Sequence, residues 1–297
     1  MAEYVLSCCG TADLSIEYYK EKNISYVPYH FSIDGVEYED DFGKTISYHD
    51  FYEKMKNGSS TKTSQVTAGE FTNYFEKFLM EGKDILHLTL SAGISGVYNS
   101  ACSAASQLKE KYPDRKIIVI NSVSGSSGLG LLMDKLADLK AAGMNIDELA
   151  KYAEDHKLEV HHWFFSSNLD FYVKGGRIKK SSAFVASLLH ICPVLELSGK
   201  GEIVVKEKAI TAKIAISHLI KKMKLYAENQ EQYSGKVFIC HADCENYANS
   251  LKEKVLSTFP NVKEENIKIF PVGTTIGSHT GPGTAGIFFF GKEREVK

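Results

Sequence analysis

The chain has 297 residues, of which 43% are hydrophobic and 24% are charged, and its 35 basic and 37 acidic residues leave a formal net charge of −2. This composition is typical of a globular protein in water, and the near-neutral balance excludes a global field that would attract nucleic acid or an anionic membrane. The length predicts two domains or lobes, because one hydrophobic core seldom extends over so many residues.

The sequence contains no apolar run that approaches the roughly 20 residues of a membrane-spanning helix. Its first residues include Glu3, where a secretory signal would be basic. The six cysteines are too few for a disulfide scaffold in a chain of this length. We therefore expect a cytoplasmic protein with reduced cysteines, without stable membrane insertion and without a nucleic-acid partner.

Apolar runs of strand length alternate with segments of helical period along the whole chain, which predicts an α/β fold. The predicted strands are 4–8, 24–33, 85–90, 117–120, 160–166, 194–197, 203–206, 237–240, 267–271 and 286–290. The predicted helices are 71–79, 97–108, 129–142, 146–156, 183–190, 210–226 and 247–259. We expect two α/β lobes, each a sheet flanked by helices, with the first over 1–157 and the second over 158–297.

Three segments rich in Ser, Thr and Gly are interpreted as strand-to-helix junctions, at 61–65, 91–96 and 121–128. In open α/β sheets a ligand binds beyond the carboxyl ends of the strands, where helix N-termini offer free N–H groups to an anion. The alternative is that these residues only cap helices, because Ser and Thr are favoured N-caps. The pattern thus favours an anion site without excluding simple capping.

Histidines occur in two notable places. His279 is the single imidazole of the glycine-rich segment 273–283, which is predicted to be a loop and could place a hydrogen-bond donor against a carboxylate. His161 and His162 are neighbours in a predicted strand, so their side chains point to opposite faces and are expected to be structural. The segment 240–244 contains Cys, His and Asp but has no further ligands at a matching spacing, so no metal site is expected.

A serine nucleophile is the second hypothesis. Ser95 lies in a Gly-Ile-Ser-Gly segment that resembles a hydrolase nucleophile elbow, but the second glycine comes one position early. An acyl hydrolase or acyltransferase would use Ser95 or Ser91 as nucleophile and His279 as base. The sequence also lacks the glycine-rich motifs of nucleotide sites, so no cofactor is predicted.

Seven motifs, in order along nearly the whole chain, resemble the DegV family of bacterial fatty-acid-binding proteins. They are Thr-Ala-Asp-Leu at 11–14, Thr-Ser-Gln at 63–65, Ser-Gly-Val-Tyr-Asn-Ser-Ala at 95–101, Ser-Gly-Leu-Gly at 127–130, Lys-Gly-Gly-Arg-Ile at 174–178, Cys-Pro-Val-Leu at 192–195 and Gly-Ser-His-Thr-Gly-Pro-Gly at 277–283.

The resemblance implies a two-lobed α/β protein that holds one long-chain fatty acid in a tunnel between the lobes. At the positions that match the family's carboxylate site, this sequence has Thr63, Ser95 and His279. Further ligand contacts are expected in the same segments, from Ser64, Ser91, Gly96 and Ser127. The family likeness also implies that the chain is not itself an enzyme and presents the bound acid to a separate fatty acid kinase, whose acyl-phosphate product enters phospholipid synthesis.

The chain departs from the family pattern at several positions. It has Cys8-Cys9-Gly10 before the first motif, Val66 where a proline is usual, and Asn121 where an aspartate is usual. Ile210 takes the position of an arginine that is typical of members serving the kinase. Arg177, Lys206 and Lys208 are the candidate partner-facing residues. A kinase-independent lipid transport or regulatory protein is therefore a further alternative.

Overall fold

The computed structural model describes residues 3–178 and 191–296, and the helix predicted over 183–190 lies outside the described residues. The strands are β1 (Tyr4–Cys9), β2 (Ser25–Val27), β3 (His30–Ile33), β4 (Val36–Glu39), β5 (Thr61–Ser64), β6 (Asp84–Thr89), β7 (Ile117–Asn121), β8 (Val160–Phe165), β9 (Cys192–Leu197), β10 (Ile203–Ala209), β11 (Val237–His241), β12 (Ile267–Pro271) and β13 (Ala285–Phe290). The helices are α1 (Ile16–Glu21), α2 (Tyr48–Lys56), α3 (Ala68–Met80), α4 (Val97–Lys111), α5 (Ser126–Ala141), α6 (Ile146–His156), α7 (Asp170–Lys174), α8 (Ala212–Tyr226), α9 (Glu245–Thr258) and α10 (Thr274–Thr280).

The strands form three sheets. A parallel sheet has the order β2-β1-β6-β7, a mixed sheet has the order β10-β9-β8-β13-β11-β12, and a small antiparallel sheet has the order β4-β3-β5. The strands of the first and third sheets precede residue 158, and all strands of the mixed sheet follow it. The α/β prediction is confirmed.

Helix α5 lies between the parallel sheet and the mixed sheet and packs against both. Ten of its residues are buried, so it lacks the polar face of a surface helix. Gly130 allows this close packing, because a Cβ there would approach the Leu14 side chain to 2.7 Å and the Ala12 carbonyl to 2.8 Å. The main hydrophobic core consequently joins residues of both sheets, such as Leu88 and Phe288.

Two sequence predictions are wrong. The single strand expected over 24–33 is two strands in different sheets, β2 and β3, because Pro28 has no N–H with which to continue a ladder. The loop expected over 273–283 contains helix α10, which ends at Gly281, where φ is +72°. The third sheet and helix α2 were not predicted. None of the helices in residues 3–178 and 191–296 is long and apolar enough to cross a membrane.

Candidate functional site

Thr63 and His279 are in direct contact. Thr63 lies on β5, which pairs with β3 in the small sheet, and His279 lies in the last turn of α10. The Thr63 Oγ1 and the His279 Nε2 are 2.7 Å apart, within hydrogen-bond distance. The fold thus brings together two predicted ligand residues that are 216 positions apart in the sequence.

Two buried carboxyl groups hold the N-terminal end of α10. The Gly273 N–H donates to Asp13 Oδ1 at 3.1 Å, and the Thr275 N–H donates to Asp40 Oδ2 at 3.0 Å. Carboxyl oxygens at this end satisfy free N–H groups of the first turn. Burial raises the pKa of Asp13 to about 8 and also raises the pKa of Asp40. These contacts fix the short helix that carries His279.

His279 is neutral at neutral pH. Burial, together with the positive charge of Arg177, lowers its pKa to about 4. Its Nδ1 has no hydrogen-bond partner among the described residues and lies against Gly175, where an added Cβ would come within 2.3 Å of it. The Nε2 contact with Thr63 is therefore the interaction that orients the ring.

Ser95 follows β6 in the turn that precedes α4. Its Oγ accepts the Val97 N–H at 3.3 Å, which leaves the Ser95 hydroxyl proton for another acceptor. Tyr29 lines the same cavity: burial raises the pKa of the Tyr29 phenol well above its ordinary value, and its hydroxyl has no hydrogen-bond partner among the described residues. The two hydroxyl groups form a neighbouring pair on the wall of one cavity.

A polar cavity of about 240 Å³ contains all three residues of the predicted carboxylate site. Its polar walls are Tyr29, Thr63, Gln65, Ser95, Arg177, Thr275, His279 and Thr280. The Arg177 Nε donates to the Ile94 carbonyl at 3.3 Å and one Nη donates to the Gly175 carbonyl at 2.5 Å. The hydroxyl, imidazole and guanidinium groups of this polar cavity can bind an anion.

An apolar cavity of about 60 Å³ adjoins the polar cavity. Four residues, Ile94, Ile203, Ile276 and Thr280, line both. The apolar cavity continues between the sheets, past Phe164, Leu197, Val272 and Phe288. The combined site has one polar end and one hydrocarbon-lined end. The apolar part is only about 60 Å³, so its walls must separate when a long acyl chain enters.

The other predicted ligand residues lie outside the walls of the polar cavity. Ser64 is exposed on β5, and Gly96 is exposed at the N-cap of α4. The Ser91 Oγ is buried and donates to the Gly201 carbonyl at 2.9 Å, which ties the turn after β6 to the β9–β10 hairpin. Ser127 is fully buried in α5. Ser91 thus connects two segments of the chain rather than facing the polar cavity.

The three residues predicted to face a partner occupy two places. Arg177 is half-buried and forms part of the polar cavity, so the structure places it beside the candidate anion site. Lys206 and Lys208 are exposed on β10, and the Lys206 ammonium lies 2.8 Å from the Glu196 carboxylate. Ile210 follows them and is 75% exposed.

Tyr29 and Thr275 were missed by the sequence analysis. Tyr29 lies between Pro28 and the first residue of β3, and Thr275 lies in the segment that is predicted to be a loop. The glycine-rich pattern around His279 was the one signal pointing to Thr275. For Tyr29 the sequence carries no signal, because an aromatic residue at a strand terminus is common.

One group of side chains in the described structure could share a cation. His49, Glu53 and Asp243 place one ligand atom each within 4.8 Å of one another. The Lys56 ammonium already contacts both carboxylates, at 2.8 Å from Glu53 and 2.7 Å from Asp243. A cation there would have to displace Lys56, so this group is an ion-pair network between α2 and the segment after β11.

The sequence matches a known protein family and its members. A family model described as "Uncharacterised protein, DegV family" matches residues 10–292. The DegV domain-containing protein CPE0026 of Clostridium perfringens is 35% identical over 295 residues, which is 99% of this chain and 100% of the relative.

Two solved structures share the fold. Protein TM841 of Thermotoga maritima, whose structure is described as revealing a fatty-acid-binding function, is 26% identical with a TM-score of 0.83, covering 98% of this chain and 100% of that one. The fatty acid kinase B3 protein of Streptococcus pneumoniae, loaded with linoleic acid, has a TM-score of 0.80 at 22% identity. The match covers 98% of this chain and 100% of that one. At that identity the likeness concerns the fold alone. The matched family model, the full-length relative and the shared fold together establish that this chain belongs to the DegV family.

Proposed function

We propose that this protein binds one long-chain fatty acid, with the carboxylate in the polar cavity and the hydrocarbon chain in the apolar cavity. The observation that carries the proposal is the junction of the two cavities, which share the walls Ile94, Ile203, Ile276 and Thr280. Fatty acids in the structures of family members, such as the one described for Thermotoga maritima, support the same ligand class.

The polar cavity supplies donors for a carboxylate. When His279 Nε2–H donates to Thr63 Oγ1, the Thr63 hydroxyl proton is free for the ligand. The Ser95 hydroxyl proton is not used within the protein, and the Tyr29 hydroxyl has no partner among the described residues, so both can donate to the second carboxylate oxygen. Arg177 adds a positive charge next to His279. A buried carboxylate needs such donors, because an unpaired buried charge costs several kcal/mol.

The apolar cavity supplies the binding energy. Burial of about 14 methylene groups contributes on the order of 11 kcal/mol, at roughly 0.8 kcal/mol each. Ordering of the chain, desolvation of the carboxylate and separation of the cavity walls offset part of that gain. The net affinity of the protein therefore depends mainly on how much of the hydrocarbon chain the apolar cavity accepts.

Mass spectrometry of the denatured, purified protein tests the proposal. We expect one equivalent of long-chain fatty acid to be released, or to be taken up when fatty acid is added to the delipidated protein. A protein that releases none and takes up none contradicts the proposed function.

Replacing Ser95 by alanine is expected to weaken fatty-acid binding by about 1.5–3 kcal/mol, the usual contribution of a hydrogen bond to a charged group. Titration calorimetry of the delipidated protein with palmitic acid measures the change. Ser64→Ala is the matched control, because Ser64 is exposed on the same sheet as Thr63. Equal affinities of the Ser95→Ala variant and the unmodified protein would remove Ser95 from the site.

The proposal includes a more specific step, in which the protein presents the bound acid to a fatty acid kinase. The shared fold with the fatty acid kinase B3 protein supports it. The exposed surface formed by Lys206, Lys208 and Ile210 is the candidate contact. Incubation of the loaded protein with a fatty acid kinase and ATP should yield acyl phosphate. No product with several kinases would favour kinase-independent lipid transport.

The acyl hydrolase alternative has less support. The Ser91 proton is committed to the Gly201 carbonyl, and the His279 Nε2 is engaged with Thr63. In the described structure no carboxylate bonds to the His279 Nδ1, so the ring lacks the orienting partner of a catalytic triad. Saturable labelling of Ser95 or Ser91 by a covalent serine probe would favour the enzyme instead.

A further inference from the structure

His162 is a buried polar side chain on the wall of the apolar cavity. It lies on β8 and is 2% exposed, and its ring meets the Phe288 ring edge-on at 5.5 Å. The neighbouring His161 points to the opposite face of the sheet, where it stacks on Tyr226 at 5.1 Å and its Nε2 contacts the Lys292 carbonyl at 2.7 Å. Of these two adjacent histidines, His162 is the one that faces the cavity.

The hydrogen bonding of His162 fixes its tautomer. Its Nδ1 lies 2.9 Å from the Val160 carbonyl oxygen. A carbonyl oxygen only accepts, so Nδ1 carries the proton and donates. The ring is neutral, because burial and the charge of Arg294 lower its pKa well below the ordinary value. The remaining nitrogen, Nε2, therefore presents a lone pair and can only accept a hydrogen bond.

The His162 Nε2 has no hydrogen-bond partner among the described residues. Other polar groups of the apolar cavity are engaged: the Ser126 Oγ donates to Asp13, and the Thr284 Oγ1 contacts Ser166 at 3.0 Å. The Thr280 Oγ1 is also without a partner, but Thr280 lines the polar cavity as well. The His162 Nε2 is thus an unmet acceptor within the hydrocarbon-lined part of the site.

Gly128 of α5 makes room for this imidazole. A Cβ at Gly128 would lie 2.2 Å from the His162 Nε2 and 2.8 Å from the Phe288 ring. Any other residue at 128 would push the ring away from its place, so the close approach of α5 to β8 depends on glycine at this position. The close approach of Gly128 holds the imidazole in place on the side of α5.

We propose that the apolar cavity selects an acyl chain that carries a hydroxyl group, whose O–H donates to the His162 Nε2. This inference rests on the proposed function, because it places the hydrocarbon chain in the apolar cavity. An oxo group offers only an acceptor and cannot pair with the Nε2 lone pair, and an unsubstituted chain leaves it unpaired. His162 is then a specificity-determining residue for the middle of the ligand.

Competition binding to the delipidated, full-length protein tests this inference. The probes are stearic acid, hydroxystearic acids with the hydroxyl at different carbons, and oxostearic acids with the carbonyl at the same carbons. We expect at least one hydroxy acid to bind about tenfold more tightly than its oxo counterpart, which is the scale of one hydrogen bond. The His162→Leu variant should lose that preference, so that it binds each hydroxy acid no more tightly than the matching oxo acid.

The His161→Leu variant is the matched control and should keep the preference, because His161 faces away from the cavity. Thermal melting establishes which variants are folded, and His162→Met replaces His162→Leu if the latter fails to fold. Equal affinities of the unmodified protein for the hydroxy and oxo acid of every pair overturn the inference; that result is expected if a water molecule donates to Nε2. A preference for a hydroxy acid that persists in the variant without His162 also overturns it. Failure of the unmodified protein to bind any of the acids overturns the proposed function instead.

Discussion

Replacing Ile276 by tryptophan is expected to reduce the affinity for palmitic acid at least about 100-fold, equivalent to about 2.7 kcal/mol. Ile276 lies on α10 and lines both the polar and the apolar cavity. An indole at this junction would occupy the path from one cavity to the other. Exclusion of only four methylene groups from the apolar cavity would cost about 3 kcal/mol, at roughly 0.8 kcal/mol each.

Calorimetric titration of the delipidated variant measures this loss, and Ile214→Trp is the matched control. Ile214 lies on α8 and is 41% exposed, so its replacement adds the same side chain away from both cavities. We expect the control to bind palmitic acid as the unmodified protein does. Full affinity in the Ile276→Trp variant would show that the acyl chain does not pass between the two cavities.

Replacing Arg294 by methionine is expected to lower the free energy of unfolding by at least about 4 kcal/mol. Arg294 is 3% exposed, and its guanidinium donates to the carbonyls of Leu197, Ser198 and Val123 at 2.8, 2.8 and 2.9 Å. A fourth bond reaches the Lys157 carbonyl at 3.3 Å. Methionine fills a similar space without donors, so buried carbonyls would lose their partners.

Urea unfolding followed by circular dichroism measures the change in stability. Arg115→Met is the control, because Arg115 is half-buried and donates to a single carbonyl, that of Gly82, with only a longer contact of 3.7 Å to the Asp84 carboxylate. We expect that substitution to cost about 1 kcal/mol, as for one hydrogen bond. Similar losses in the two variants would mean that the four carbonyl contacts of Arg294 add little to stability.

The fold class could be predicted from local pattern, whereas α10 could not. Apolar runs such as 117–120 identify buried strands directly, because parallel strands are apolar on both faces. Helix α10 has glycine at its centre and just beyond both ends, which is a loop signal in any single sequence. It forms because Asp13 and Asp40 bind its first N–H groups and because Gly277 leaves space for Tyr52, whose hydroxyl would lie 2.4 Å from a Cβ there.

The segments rich in Ser, Thr and Gly and the stretch around His279 indicated an anion site from the sequence, and the resemblance to a family then named particular residues. The motifs containing Thr63, Ser95 and His279 named the residues, and the family assignment is confirmed. Their arrangement around one cavity depends on tertiary contacts that no local spacing encodes. Tyr29 reaches the same cavity because Pro28 redirects the chain from one sheet to another, and the cavity-facing side of His162 follows from strand register.

The guanidinium contacts of Arg294 have a consequence for synthesis of the chain. Its four carbonyl partners precede it by 96 to 171 residues. A ribosome releases the chain from its N-terminus, so those carbonyls emerge long before residue 294 and cannot bond to it. The nascent protein therefore completes its structure only after translation has passed that arginine. Shorter nascent chains, which end before residue 294, contain these carbonyls without their native hydrogen-bond donor.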